Sequence, residues 1–127
     1  MLKNTAFALF FILILGNVAH LGGPWWSVVL VSALALLLFP MGPARALAVG
    51  TVAGTMLWWG NALWIHLANG EGLAGKIGQV FQGLQGLHLL AAAALLGGLL
   101  GGMGALTGTY ARTLFAPPKQ GRRRRRR

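Results

Sequence analysis

The stretch 5–19 is apolar almost without a break until Asn17, and it closes at His20-Leu21-Gly22-Gly23-Pro24. Glycine pairs followed by proline end helices, so a first helical span is expected over about 5–21. A second apolar run, 25–39, lies between Pro24 and Pro40-Met41-Gly42-Pro43. Proline opens helices readily and cannot continue them, which predicts a second span over about 24–40. Each of these two apolar cores is 15 residues long. A hydrocarbon layer of ~30 Å calls for ~20 residues, so both need their Gly, His or Trp flanks to cross it.

The third run is longer, with Arg45 at its start and Asn69-Gly70-Glu71-Gly72 as a turn-forming stop, and predicts a span over 45–68. Over 73–86, Ile77, Val80, Phe81 and Leu84 recur at helical spacing while Lys76, Gln79, Gln82 and Gln85 mostly face another way. That pattern predicts a short interfacial amphipathic helix. The last run, 87–111, consists largely of Leu, Ala and Gly and ends at Tyr110 and Arg112, giving a fourth span. The expected fold is therefore all-α, with four transmembrane helices over 1–116 and a short interfacial helix before the fourth. Residues 117–127, Pro117-Pro118-Lys119-Gln120-Gly121 and six arginines, read as a disordered basic tail.

Composition fits a membrane solvent: 56% of side chains are hydrophobic and 9% are charged. Too few polar residues remain to cover a water-soluble domain. Glu71 is the sole acidic residue, and most of the net charge of +10 sits in the tail. Cysteine is absent, which excludes disulfides, thiolate metal sites and thiol catalysis.

Basic residues flanking spans are retained on the cytoplasmic side. With both termini inside, Lys3, Arg45, Arg112, Lys119, Arg122, Arg123, Arg124, Arg125, Arg126 and Arg127 are all cytoplasmic, and only Lys76 lies outside, beside Glu71. A cleaved signal peptide would open in the same way, but Asn17 is not the small residue expected two places before a cleavage point at Ala19. The first segment is read as a retained span.

One face of the fourth segment has almost no side chains. Gly97, Gly101, Gly104 and Gly108 form one helical stripe, and Gly98, Gly102 and Ala105 its neighbour. Such a groove favours a closely approaching backbone over lipid, and Gly50 and Gly54, flanked by Thr51 and Thr55, offer a matching surface on the third segment. Packing of the third and fourth spans within one subunit is the plainer expectation, and a face for a membrane-protein partner or a second copy is the sharper one. No Lys-Ser/Thr follows the glycines and no strand precedes them, so they are not a phosphate loop.

Asn17 and Asn61 are the costly polar residues within spans, and at similar depth they are expected to bond across helices or, alternatively, to line a small polar site with indoles. His20, His66 and His88 lie on different segments without ligand spacing and read as solvated interfacial residues, so no metal or cofactor is expected. Trp25, Trp26 and Trp64 suit an aromatic belt, whereas Trp58 and Trp59 are central and need a packing role. The arginine run favours anionic lipid headgroups, and with no folded reader beside it no specific nucleic acid is expected.

Pro24-Trp25-Trp26, a Trp-containing third segment and the Leu-Leu-Gly-Gly-Leu-Leu-Gly-Gly-Met-Gly-Ala-Leu-Thr-Gly stretch together resemble a group of small four-span membrane proteins of Bacteroidota-type bacteria. That resemblance implies an architecture and an inner-membrane address, and lends no activity, cofactor or site residue. The strongly basic tail is not part of the pattern. An enzyme is not expected, because no nucleophile is paired with a base. The expected role is a non-enzymatic accessory or assembly subunit packing through its glycine faces. The alternative is a small homo-oligomeric channel or transporter for a neutral solute, against which stands the lack of ionisable residues within the spans.

Overall fold

A computed structural model describes residues 2–69, 71–83 and 86–115, with side-chain surroundings given for all of these except 71–75. The described residues form five helices and no strand: α1 (Leu2–Gly22), α2 (Ser27–Leu38), α3 (Pro43–Asn69), α4 (Glu71–Val80) and α5 (Gly86–Phe115). The all-α expectation holds. Only α1 and α5 combine the length and the apolar character needed to cross a membrane, where four such helices were expected.

Local chemistry explains the two that fall short. The second apolar run is not one helix, because the chain turns through Pro24, Trp25 and Trp26 before α2 begins. The Ser27 N–H donates to the Pro24 carbonyl at 3.0 Å, and Trp26 serves as N-cap. At the other end Phe39 is extended, as the residue before a proline prefers to be. Twelve residues remain. At 1.5 Å per residue they reach only about 18 Å. α3 has ample length at 27 residues, but Thr51, Thr55, Gly50, Gly54, Asn61 and three tryptophans dilute its apolar character.

The interfacial helix also ends earlier than the pattern predicts. Gln82 at φ 60° and Gly83 at φ 86° leave the helical region, and the Gly83 N–H returns to the Gly78 carbonyl at 2.8 Å. That is a Schellman cap with a left-handed residue just past the helix, and it stops α4 at Val80. Leu84 and Gln85 lie outside the described residues.

α5 is the central helix, packed most extensively on α3 and next on α2, while α1 lies against α2 and α3. The buried interior is built largely of small groups: Ala8, Ala35, Ala46, Ala53, Ala105 and the α5 glycines, with Ile12 and Leu36 as the largest fully buried apolar side chains. Large side chains point outward, among them Phe7, Phe10, Ile14, Leu30, Leu34, Leu95 and Leu99. Two ring contacts fasten the start of α1 to the end of α2: Phe7 stacks on Phe39 at 6.3 Å, and Phe11 meets it edge-on at 5.9 Å.

Candidate functional site

The glycine seam is filled from within the chain. A Cβ at Gly54 would fall on the Gly97 carbonyl, one at Gly97 on the Gly54 carbonyl, and Gly50 and Gly101 stand in the same reciprocal relation. Here backbone meets backbone, and no side chain fits between. Gly98 and Gly102 face the Thr55 and Thr51 hydroxyls, at 2.5 and 2.6 Å from where their Cβ atoms would sit. Further along, the seam changes partner: Gly104 lies against Val29 and Ser32, and Gly108 against Ala33, all on α2. The expected glycine face for an external partner is thereby corrected. Both neighbouring helices already occupy it.

Asn17 and Asn61 do share a site, though not as the expected bonded pair. The Asn61 Nδ2 donates to the Leu57 carbonyl of its own helix at 2.8 Å, four residues back. Both carboxamides instead line an open cleft of about 540 Å³ between α1 and α3, with Leu13, Leu21, Met56 and Trp64. α1 stays close to α3 where Gly16 meets Leu57. Asn17 is exposed and Asn61 half-buried, so amide groups of both helices look out of an otherwise apolar wall.

The histidines differ from one another. His88 is exposed, as expected, but His20 is half-buried with its ring 6.4 Å from that of Trp58. The expectation of a solvated His66 is corrected: its Nδ1 is buried without a hydrogen-bond partner. Among the described residues, no three His or acidic side chains gather as a metal site would require. Trp58 packs against Gly97 and buries an unpaired Nε1, whereas Trp59 is exposed and has no packing role of the kind expected. Trp25, Trp26 and Trp64 are exposed.

At the opposite end, Arg112 donates from Nη1 to the Leu37 carbonyl at 2.8 Å. A cleft there brings Pro40, Met41 and Pro43 together with Thr109, Tyr110, Arg112 and Thr113. With Phe7 stacked on Phe39, the start of α1, the end of α2, the start of α3 and the end of α5 meet at one end of the bundle. The residues Lys3, Arg45 and Arg112 belong to those termini. Lys119 and Arg122 to Arg127 lie outside the described residues.

Sequence reasoning passed over two buried groups. Ser32 is fully buried and its hydroxyl is unpartnered, a site signalled only by a lone Ser within a Leu, Val and Ala run. Thr109 is buried too, but its hydroxyl returns to the Ala105 carbonyl at 2.9 Å. No family model, curated protein or solved structure matches this chain.

Proposed function

We propose that this chain is a four-span protein of the bacterial inner membrane, with both termini cytoplasmic, acting as a non-enzymatic accessory or assembly subunit of a larger membrane protein. The support for a membrane address is the inside-out arrangement of side chains. Glycine and alanine fill the interior, while Phe7, Phe10, Ile14, Leu95 and Leu99 form the outer wall. Lipid tails solvate such a wall, and close backbone contact then supplies the helix association that hydrophobic burial cannot. α2 and its flanks cross with local thinning of the bilayer, and the tryptophan turn before it anchors at the outer headgroups. The grouping of Lys3, Arg45 and Arg112 at one end favours that end as the cytoplasmic one. In this reading the Pro24-Trp25-Trp26 and glycine motifs carry the likeness to small four-span Bacteroidota-type proteins.

The observation that carries the accessory role is the cleft between α1 and α3. Its Asn17 and Asn61 carboxamides open laterally, where hydrocarbon offers them no hydrogen bond. A partner helix bearing a polar side chain satisfies them and covers Leu13 and Met56 at the same time. The test is gentle detergent extraction followed by native mass and identification of components. A larger unrelated protein at fixed ratio is expected, and it should be lost when Asn17→Leu and Asn61→Leu are combined. A particle built of this chain alone, or co-purification unaffected by the double substitution, refutes the accessory role.

A further inference from the structure

A second cavity, of about 190 Å³, lies where α3, α4 and α5 meet, lined by Ala62, Ile65, His66, Ile77, Leu89 and Leu90, with Gly86 at the start of α5. Its wall is almost wholly apolar, and His66 is the residue in it that carries a polar side chain. The His66 Nδ1 is buried and has no hydrogen-bond partner among the described residues. These two facts constrain the occupant in size and in chemistry. A dry apolar cavity of about 150 Å³ is known to accept a benzene ring, so this volume suits one ring with a small substituent. A buried ring nitrogen left unbonded is penalised by about 1–3 kcal/mol, which an alkyl chain of a lipid or detergent does nothing to relieve. A hydroxyl relieves it in either tautomer, because it can donate to a bare Nδ1 or accept from a protonated one.

We infer that this cavity is a binding site for a small monocyclic ligand bearing one hydroxyl, of the phenol class, with the ring among Ile65, Ile77, Leu89 and Leu90 and the hydroxyl on the His66 Nδ1. The inference stands apart from the docking cleft, which involves α1 and the opposite part of the α3 surface. It requires no partner protein. α4 closes the site from one side through Ile77, and the Schellman cap at Gln82 and Gly83 turns the chain back toward α5.

The test uses the full chain in phosphatidylcholine nanodiscs with ¹⁵N-labelled histidine, titrated with 4-methylphenol and, separately, with toluene. The expected result is a saturable shift of the His66 Nδ1 resonance with 4-methylphenol. Toluene should leave that resonance in place and bind roughly tenfold more weakly, the worth of one hydrogen bond. His66→Phe should abolish the preference for the phenol over toluene. Two substitutions from different helices, Leu90→Phe and Ala62→Leu, should each fill the cavity and remove saturable binding, with retained helical circular dichroism showing that each variant is folded. An Nδ1 already at its hydrogen-bonded position without probe means that water occupies the site, and overturns the assignment. So does a response that is unsaturable, equal for the two probes, or unchanged in both filled variants.

Discussion

Arg112, in the last turn of α5, donates a hydrogen bond at 2.8 Å to the backbone carbonyl of Leu37, 75 residues earlier and at the end of α2. The last carbonyls of any helix lack partners within it. α2 has a single bond of this kind at its cap, from the Phe39 N–H to the Ala35 carbonyl, and the guanidinium serves the next turn. Arg112→Ala should therefore lower stability by about 1 kcal/mol, and Arg112→Lys by less. Circular dichroism during titration of dodecylsulfate into mixed micelles measures both. An alanine variant with an unchanged midpoint would show that the bond contributes nothing.

The glycines should separate into classes according to what their missing Cβ would meet. Gly54→Ala and Gly101→Ala force a methyl group into a backbone carbonyl and should each destabilise the fold by at least about 2 kcal/mol. Gly16→Ala meets only the tip of Leu57, which can rotate, so its effect should be smaller. Gly60→Ala meets nothing and should be neutral or stabilising by up to about 1 kcal/mol through helix propensity. The same unfolding titration ranks the four. Equal losses at Gly54 and Gly60 would be incompatible with the seam described here.

Ser32→Ala should stabilise the protein. The serine hydroxyl is fully buried and bonds to nothing among the described residues, so its removal relieves an unsatisfied group and leaves a space smaller than a methyl. A gain on the order of 1 kcal/mol is expected. Thr109→Ala is the contrasting case, since that hydroxyl does have a partner in Ala105, and it should give no gain.

Orientation is open to a direct check. A reporter active only in the cytoplasm, fused after Arg127, should be active, and one inserted after Lys76 should not. Replacing Arg122 to Arg127 by Gln should leave this unchanged, because Lys3, Arg45 and Arg112 remain at the same end. The substitution should nevertheless weaken salt-sensitive attraction to anionic vesicles, at about 1 kcal/mol per charge removed.

Much of the helical layout was legible because helix boundaries are local. Gly22-Gly23-Pro24 and Pro40 through Pro43 limit helices through backbone sterics alone, and the third and fourth apolar runs became α3 and α5 within a few residues. Where two local signals competed, hydropathy misled. Trp25, Trp26 and Phe39 continue the apolar run yet belong to a turn and a cap, because proline geometry outweighs side-chain polarity there. The amphipathic period ran past Val80 in the same way, and a left-handed Gln82 ended the helix.

The candidate site was legible only as residue types. Asn17 and Asn61 stand out in any apolar chain, but which bond each makes depends on the distance between α1 and α3, which no local pattern encodes. Asn61 had a nearer acceptor in the Leu57 carbonyl, and the cleft stayed open. His66 was indistinguishable in sequence from His20 and His88. Its burial follows from α4 folding back over the end of α3.

By itself the sequence determined the all-helical class, the order of the segments, the small-residue faces of α3 and α5 and the gathering of basic residues beside particular helix ends. All of these follow from interactions within a few residues or from sums along a segment. Only the tertiary structure decided that the α5 seam meets α3 through Gly97 and Gly101 but α2 through Gly104 and Gly108, so that the face is closed rather than offered to a partner. It also decided that a cleft with two amides, and a cavity with one unpaired imidazole nitrogen, are left over. Those features are set by how helices distant in sequence cross, and a stripe of glycine constrains how close a neighbour comes without saying which neighbour it is.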